Sequence, residues 1–303
     1  LRSQGIACRQ ADLGIEMVLR LFSRAGLQQV FDSVREQGEK LPEEATQMLA
    51  MEQSYLDKIA PVMEFLQGRN PALAGHLARA GVLPRGPRSR GRSAFARRVP
   101  MEDRAKQYAT WFLEDLADLV QATISPYFAL SRYAEHIARS ASSFTALETA
   151  LAEPPSLTDQ FMLDALWTHL DRVNPSLVGL SVPFPGNLFG GFRVAQAIKQ
   201  RRPDILVALG GGYANTELRR VSDPRVFDYV DFITLDDGER PLLSLVEHLA
   251  GTRPRTALCR TFYRDAGRVI YTHDPSARDF TMGDVGCPTY DGLKLDRYLT
   301  ILD

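Results

Sequence analysis

Three short apolar runs, each closed by a turn, constrain the fold more than any other feature of this sequence. Nearly uninterrupted apolar runs of this length are typical of strands buried on both faces of a parallel sheet. Helical patterns separate the runs, as expected for crossover connections between parallel strands. The sequence therefore predicts an α/β fold with a doubly wound, Rossmann-like parallel sheet. The runs are Leu177–Val182, Ile205–Leu209 and Tyr229–Leu235.

The turns after these runs hold the candidate binding residues. In an open α/β sheet, ligands bind beyond the carboxyl ends of the strands. All three turns should therefore line one edge of the sheet, and we predict a ligand site there. Its residues are Ser181, Val182, Pro183, Phe184, Gly186, Asn187 and Gly190 in the first turn, Gly210, Gly211, Gly212 and Tyr213 in the second, and Asp236, Asp237, Gly238 and Glu239 in the third.

The residue types in these turns allow more than one interpretation. Three consecutive glycines let the backbone come close either to a ligand or to the next helix. The Ser181 hydroxyl can donate to a ligand or to nearby backbone, and the acids of the third turn can also stabilise the start of the following helix. The turns lack GxGxxG and GxxxxGK[ST], which excludes a dinucleotide fingerprint and a P-loop.

The remaining sequence predicts a large helical insert and a C-terminal hairpin. Apolar residues from Ile15 onward, and again in Glu102–Gln121, have the spacing of amphipathic helices. The segment Arg260–Asp274 has the pattern of a β-hairpin. We predict a Rossmann-like domain of residues 1–14 and 156–255, an all-helical insert of residues 15–155, and a hairpin and linker of residues 256–303.

Local signals predict several boundaries. The opening Leu-Arg-Ser-Gln-Gly is typical of a last helical turn that ends at Gly5, and Ile6–Leu13 predicts a strand. A doubly wound domain opens with a strand before such a helix, so we expect that strand upstream of this sequence. Ser125-Pro126 predicts the start of a helix running from Tyr127 to about Arg139. A capping box, Ser156 to Asp159, predicts a further helix start.

Composition narrows the classes of partner. The formal net charge of −1 gives no indication of a nucleic-acid or membrane surface. No apolar run approaches the roughly 20 residues of a spanning helix. The three cysteines, Cys8, Cys259 and Cys287, are far apart, which suits reduced thiols in a cytoplasmic protein and does not suit a metal cluster. The arginine-rich Leu83–Pro100 predicts a solvated loop, with anion or partner binding as the alternative.

The three turns together resemble a known family. Leu180–Asn187, Leu209–Glu217 and Leu235–Glu239 are similar, in order and spacing, to the cobalamin-binding domain of radical SAM proteins. The hairpin Thr261–Tyr271 and the segment Thr289–Leu293 resemble that family's passage toward its radical SAM barrel. The resemblance covers residues 125–303 well and residues 1–14 loosely.

The resemblance implies a cofactor for this chain and a separate domain for the radical chemistry. It implies that a corrin lies over the carboxyl edge of the sheet, in contact with all three turns, and that the glycine turn faces its nucleotide tail. It also implies partners: cobalamin, a C-terminal radical SAM domain and a substrate that the sequence does not identify. The cobalamin would carry a methyl group or tune radical chemistry in the whole enzyme.

Two departures from the family pattern limit these implications. The chain lacks Asp-x-His-x-x-Gly, so cobalamin would bind without a histidine lower ligand from this chain. It also lacks CxxxCxxC, which supplies the thiolates of a [4Fe-4S] cluster. The cluster and S-adenosylmethionine are therefore expected only in a C-terminal part, and this chain would not be catalytic alone.

Two other functions remain open from the sequence. A doubly wound domain can bind a nucleotide or nucleotide sugar, because a glycine turn before a helix can hold a diphosphate. The turn at Gly210–Gly212 fits that description. The chain could also be an interaction domain without catalysis.

Overall fold

The computed structural model describes residues 1–38, 41–90, 99–130 and 144–302. These residues form helices and a five-stranded sheet, and the chain divides into two compact units. The α/β unit comprises Leu1–Gln10, Arg132–Pro154 and Leu166–Asp291. The helical unit comprises Ala11–Ser131, Pro155–Ala165 and Gly292–Asp303. None of the described helices combines the length and the apolar character needed to cross a membrane.

The helical unit confirms that the first half of the chain is predominantly helical. Asp12 and Ser23 cap the first two helices by accepting hydrogen bonds from the backbone N–H groups of Ile15 and Gly26, each at 3.0 Å. Tyr55 is fully buried in its core, with its ring centroid 5.1 Å from that of Phe112. The helices are α1 Leu13–Leu21, α2 Arg24–Glu36, α3 Glu43–Ala50, α4 Glu52–Leu66, α5 Ala74–Leu77 and α6 Met101–Thr123.

Two local predictions in this part of the chain are wrong. Residues 6–12 form no strand, and Leu13 begins α1 because the Asp12 side chain caps a helix there. Residues 127–130 are not helical, and the rest of that predicted helix lies outside the described residues. The predicted helical turn before Gly5 is confirmed, since Arg2–Gln4 is a 3-10 turn and Gly5 has φ 72°.

Buried Asp115 in α6 anchors the start of the arginine-rich loop. Its side chain is 1% exposed, and its Oδ1 accepts a hydrogen bond from the Arg88 backbone N–H at 2.8 Å. A Cβ at Gly86 would lie 2.3 Å from the same carboxylate, so only glycine fits there. Arg88 in turn forms a bidentate ion pair with Asp118, at 2.6 and 2.8 Å. Residues 91–98 of the predicted loop lie outside the described residues.

We expect Asp115→Asn to stabilise the helical unit above about pH 6. Burial raises the pKa of the Asp115 carboxyl from 3.8 to about 6, so the folded protein holds this proton more tightly than the unfolded chain. The protonated carboxyl therefore contributes its full stabilisation below the pKa of the unfolded chain, 3.8. This stabilisation is lost as the pH rises through the folded pKa of about 6. The gain from asparagine should be about 1–3 kcal/mol in urea unfolding near neutral pH.

The pH dependence distinguishes this effect from a general change in packing. The advantage of Asp115→Asn over the parent should shrink toward pH 4, where the parent carboxyl is also neutral. Asp118→Asn is the matched control on the same helix, since it removes the exposed ion pair with Arg88 and should cost less than about 1 kcal/mol. An advantage of Asp115→Asn that is equal at both ends of the pH range would contradict the burial argument.

The α/β unit follows the predicted alternation of helix and strand. The predicted capping box is confirmed: the Ser156 N–H donates to Asp159 Oδ2 at 3.0 Å, and the Asp159 N–H donates to Ser156 Oγ at 3.2 Å. This box starts the helix Leu157–Val173, whose first residues belong to the helical unit and whose last residues belong to the α/β unit. The elements are α7 Phe144–Ala152, α8 Leu157–Val173, β1 Leu177–Ser181, α9 Leu188–Arg201, β2 Leu206–Gly210, α10 Gly212–Glu217, β3 Phe232–Thr234, α11 Glu239–Leu249, β4 Thr261–Asp265, β5 Arg268–Thr272 and α12 Met282–Val285.

The sheet is mixed, with strands in the order β1-β2-β3-β4-β5. β1, β2 and β3 are parallel, which confirms the predicted parallel pairing for those strands. β4 runs antiparallel to β3, and β5 antiparallel to β4, so the predicted hairpin is confirmed and the sheet as a whole is not parallel. Ala266 and Gly267 close the hairpin with φ of 44° and 77°, as a two-residue hairpin turn requires.

Burial of the strands differs from the prediction at one edge. β3 is buried throughout, as are Val207, Ala208 and Leu209 of β2. β1 lies at the edge of the sheet, and its Leu177, Val178 and Leu180 are only half-buried. The apolar run alone could not distinguish an edge strand from a central one.

A buried arginine joins α7 to α9. Arg193 is 3% exposed, and its guanidinium donates to the carbonyl oxygens of Leu151 at 2.9 Å, Glu153 at 3.1 Å and Ala150 at 3.3 Å. These carbonyls belong to the last turn of α7 and the residues around it, where backbone acceptors have no partners within the helix. The positive charge also suits the negative end of the helix dipole. Arg193 thus holds α7 to the helix that follows β1.

Candidate functional site at the carboxyl edge of the sheet

Strand register brings the three predicted turns to one edge of the sheet. Ser181, at the end of β1, pairs with Gly210 at the end of β2. Leu209 of β2 pairs with Ile233 of β3. The chain therefore leaves three neighbouring parallel strands at the same side, and the first, second and third turns follow there. We call this region the carboxyl edge.

The glycine turn packs directly against the first turn. The Tyr213 N–H donates to the Val182 carbonyl at 3.0 Å, and the Val182 N–H donates to the Gly210 carbonyl at 2.9 Å. Gly211 has φ 99°, and a Cβ there would lie 2.7 Å from the Val182 carbonyl oxygen. A Cβ at Gly212 would lie 2.6 Å from the Pro183 carbonyl oxygen. Close contact between the two turns therefore explains these glycines.

The sequence did not predict this contact between the two turns. Gly211 and Gly212 approach the backbone of the neighbouring turn, at Val182 and Pro183. A Cβ at Gly210 would meet the Thr234 side chain of β3, with Oγ1 at 2.8 Å. A Cβ at Gly191, at the start of α9, would meet Val182 at 2.9 Å. Glycine residues therefore stand at the close contacts around the ends of β1, β2 and β3.

The predicted site residues separate into a buried and an exposed set. Val182 and Tyr213 are buried and pack inside the unit, and burial raises the pKa of the Tyr213 hydroxyl. The Phe184 ring is unusual among the exposed residues, at 46% exposure. Gly186, Gly190, Gly210, Gly211 and Asp236 are half-buried, and Ser181, Pro183, Phe184, Asn187, Gly212, Asp237, Gly238 and Glu239 are exposed. The exposed set forms the accessible surface of the carboxyl edge.

Asp236 in the third turn is held by neighbouring side chains. Its φ is 62°, an unfavourable value for a residue other than glycine. Its N–H donates to Asn215 Oδ1 at 2.6 Å, and its carboxylate pairs with Arg219 and, at 3.5 Å, with Arg260. Arg260 also pairs with Asp279 at 2.6 Å. Asp236 therefore has a structural role here.

The partners of Asp236 were not predicted from the sequence. Arg219 lies after α10 and Arg260 just before β4, and no local pattern connects either residue with the third turn. Glu239 is the first residue of α11, where its charge suits the positive end of the helix dipole. Its position therefore fits the capping interpretation.

The exposed surface of the first two turns is uncharged. Residues 181–191 and 210–213 contain no acidic or basic side chain. They offer hydroxyl, amide and backbone groups, which bind ligands through hydrogen bonds and do not transfer protons near neutral pH. Within the described ranges, no group of three or more His, Cys, Asp or Glu residues could hold a metal ion. The first two turns therefore offer a ligand neutral hydrogen-bonding groups, whereas the third turn adds the carboxylates of Asp236, Asp237 and Glu239.

Comparisons with protein-family models, curated proteins and solved structures found no match to this chain. Function is therefore inferred from the residues and geometry of the carboxyl edge.

Proposed function

We propose that this chain is the cobalamin-binding module of a radical SAM enzyme, with a Rossmann-like sheet that holds the corrin at its carboxyl edge. The observation that carries the proposal is the direct packing of the glycine turn on the first turn. This packing leaves Ser181, Phe184, Asn187 and Gly212 exposed on one edge of the sheet. A broad, flat ligand is the kind that such a surface suits.

The chemistry of the exposed residues fits the corrin. Its macrocycle is fringed by neutral carboxamides, which pair with hydroxyl, amide and backbone groups. Ser181 and Asn187 supply such groups, and the exposed Phe184 ring supplies apolar contact. The backbone of the first turn fills the space beside Gly211 and Gly212, where the nucleotide tail would lie. The exposed residues therefore suit the corrin better than they suit the nucleotide tail.

In this proposal the residues of the chain bind and orient the cofactor. Bound cobalamin supplies methyl-group transfer or tunes radical chemistry. The [4Fe-4S] cluster and S-adenosylmethionine belong to a C-terminal radical SAM domain, which is the main protein partner, and the whole enzyme acts in the cytoplasm. The described histidines are His76, His169, His248 and His273, and none lies in the three turns. The three turns would therefore give a bound cobalt no histidine ligand.

The lack of basic side chains in the first two turns favours cobalamin over a nucleotide diphosphate. Binding of phosphate groups usually draws on arginine, lysine or a helix N-terminus. The first two turns lack basic residues, and α10 after the glycine turn has only six residues. Arg219 and Arg260 near the third turn are engaged by Asp236 and Asp279. A diphosphate would therefore meet little positive charge from side chains here.

We expect the purified chain to retain hydroxocobalamin, and Ser181→Arg to reduce that retention at least about tenfold. Ser181 is exposed at the carboxyl end of β1, where a long cation would cover the first turn. The measurement is corrin absorbance that co-elutes with protein after gel filtration, followed by titration for the dissociation constant.

Ser176→Arg is the matched control, because Ser176 is exposed just before the amino end of the same strand. It should bind hydroxocobalamin as the parent does. Failure of the folded parent chain to retain any corrin would refute the proposal, and retention of ADP or a nucleotide sugar instead would favour the alternative function. Equal loss in both variants would show that the corrin lies elsewhere.

A further inference from the structure

A cavity lies at the amino ends of the parallel strands, opposite the carboxyl edge. It has a volume of about 340 Å³ and is lined by Leu206 and Phe232, the first residues of β2 and β3. Val230 and Leu249 add to its apolar wall. This volume lies in the range of about 300–1,000 Å³ typical of small-molecule sites. Because it lies at the amino ends of the strands, it is distinct from the carboxyl edge.

Two arginines and one aspartate line this cavity, and each of the three has an ionic partner. Arg255 and Arg264 line it, and so does Asp231. The Asp231 carboxylate is already paired, because it accepts from Lys199 Nζ at 2.5 Å and from the Val207 N–H at 2.7 Å. Arg264 is in turn paired with Asp228 at 2.5 Å, and Arg255 lies 3.6 Å from Asp265. An anion would therefore be bound by the guanidinium donors that these pairs leave free, and not by a net positive charge.

Both guanidinium groups keep hydrogen-bond donors that other described residues do not use. Arg255 donates to the Arg264 carbonyl at 2.7 Å, and its Nη1 is 3.6 Å from Asp265, beyond hydrogen-bond distance. Arg264 uses Nη1 for Asp228, at 2.5 Å, and for the Pro224 carbonyl, at 3.2 Å. The Arg264 Nε and Nη2 groups are left for a ligand.

The Arg255 guanidinium is held in a fixed orientation beside the cavity. It lies over the Tyr263 ring, with Cζ 4.0 Å from the ring centroid. Stacking of this kind orients the planar group without using its edge donors. The Arg255 and Arg264 side chains are 38% and 36% exposed, so both are accessible from solvent at the mouth. Val230, at 0% exposure, lies at the apolar interior.

We propose that this cavity binds a small organic carboxylate with an apolar or aromatic body. The carboxylate pairs with the free donors of Arg255 and Arg264, and the body contacts Leu206, Val230 and Phe232. Charge-assisted hydrogen bonds to a guanidinium give such an anion its advantage over a neutral ligand of the same shape. The cavity is thus a ligand site of its own, independent of what binds at the carboxyl edge.

The test compares 2-naphthoate with its neutral analogue 2-naphthamide by calorimetric titration of the full chain. We expect 2-naphthoate to bind about tenfold or more tightly than the amide. Arg255→Gln and Arg264→Gln should each remove most of that preference and leave amide binding nearly unchanged. Leu249→Trp, at the 38% exposed mouth, should weaken both ligands because it narrows the entrance.

Arg268→Gln is the matched control, since Arg268 is an exposed arginine on β5 that does not line the cavity. It should bind both probes as the parent does. Circular dichroism and thermal unfolding would confirm that each variant is folded. Equal affinity for the two probes, an undiminished preference in both arginine variants, or no binding of 2-naphthoate by the folded parent would overturn the proposal.

Discussion

Gly211→Val should destabilise the α/β unit by at least about 3 kcal/mol. Two effects add at this position. The φ of 99° is unfavourable for any L side chain, and a Cβ would lie 2.7 Å from the carbonyl oxygen and 2.8 Å from the nitrogen of Val182. These atoms are backbone, anchored by hydrogen bonds to Gly210 and Tyr213, so they cannot move aside without loss of the contact between the turns.

The two tryptophans allow this effect to be assigned to one unit. Trp167 lies in the α/β unit and Trp111 in the helical unit. In a Trp111→Phe background, urea unfolding followed by Trp167 fluorescence reports on the α/β unit. We expect the Trp167 transition to move to lower urea in Gly211→Val. In a Trp167→Phe background, the Trp111 transition should change much less, because no substituted residue lies in its unit.

Gly238→Ala is the control for replacing a glycine at the same edge. Gly238 has φ −67°, and a Cβ there would meet no atom within 4 Å. Its free energy of unfolding should stay within about 0.5 kcal/mol of the parent value. A Gly211→Val protein as stable as Gly238→Ala would show that the two turns are not in the close contact described.

Arg193→Met should cost about 3 kcal/mol of stability in the α/β unit. Methionine fills part of the same space but supplies no donor. The carbonyl groups of Ala150, Leu151 and Glu153 would lose the guanidinium that now bonds them. Urea unfolding followed by Trp167 fluorescence would measure the loss. Hydrogen exchange should accelerate most in residues 144–152, because Arg193 makes three of the hydrogen bonds that join α7 to α9.

Arg201→Met on the same helix is the matched control. The Arg201 guanidinium lies over the Trp167 ring, with Cζ 4.4 Å from its centroid, and Arg201 is exposed. An exposed cation–π contact contributes only about 0.5–1 kcal/mol. If the two substitutions cost the same, or if exchange in α7 stays slow in Arg193→Met, the buried arginine does not have the anchoring role inferred here.

The sequence predicted those parts of the fold that depend on local chemistry. Apolar runs marked β1, β2 and β3, Ser156 and Asp159 marked a helix start, and Ala266-Gly267 marked a hairpin turn. Each of these signals depends on interactions within a few residues, so the local sequence is enough to predict the element. The same property explains the error at Ile6–Leu13, where the Asp12 side chain favoured a helix start over the apolar pattern.

The sequence predicted which turns lie at the carboxyl edge, but not which of their residues contact each other. The strand ends identified the three turns, and parallel pairing brought them together. The approach of Gly211 to Val182, and of Arg260 to Asp236, depends on strand register and on the path of β4. Those are tertiary features that no local pattern specifies.

The order of strands in the sheet has a consequence for how the protein is made. Each strand lies beside the one that precedes it in the chain, so a nascent polypeptide can add strands one at a time to an existing neighbour. No strand has to wait for a distant partner, which shortens the loops that must close and favours rapid folding. Residues 11–131, which belong to the other unit, leave the ribosome before β1 and can complete most of their packing first.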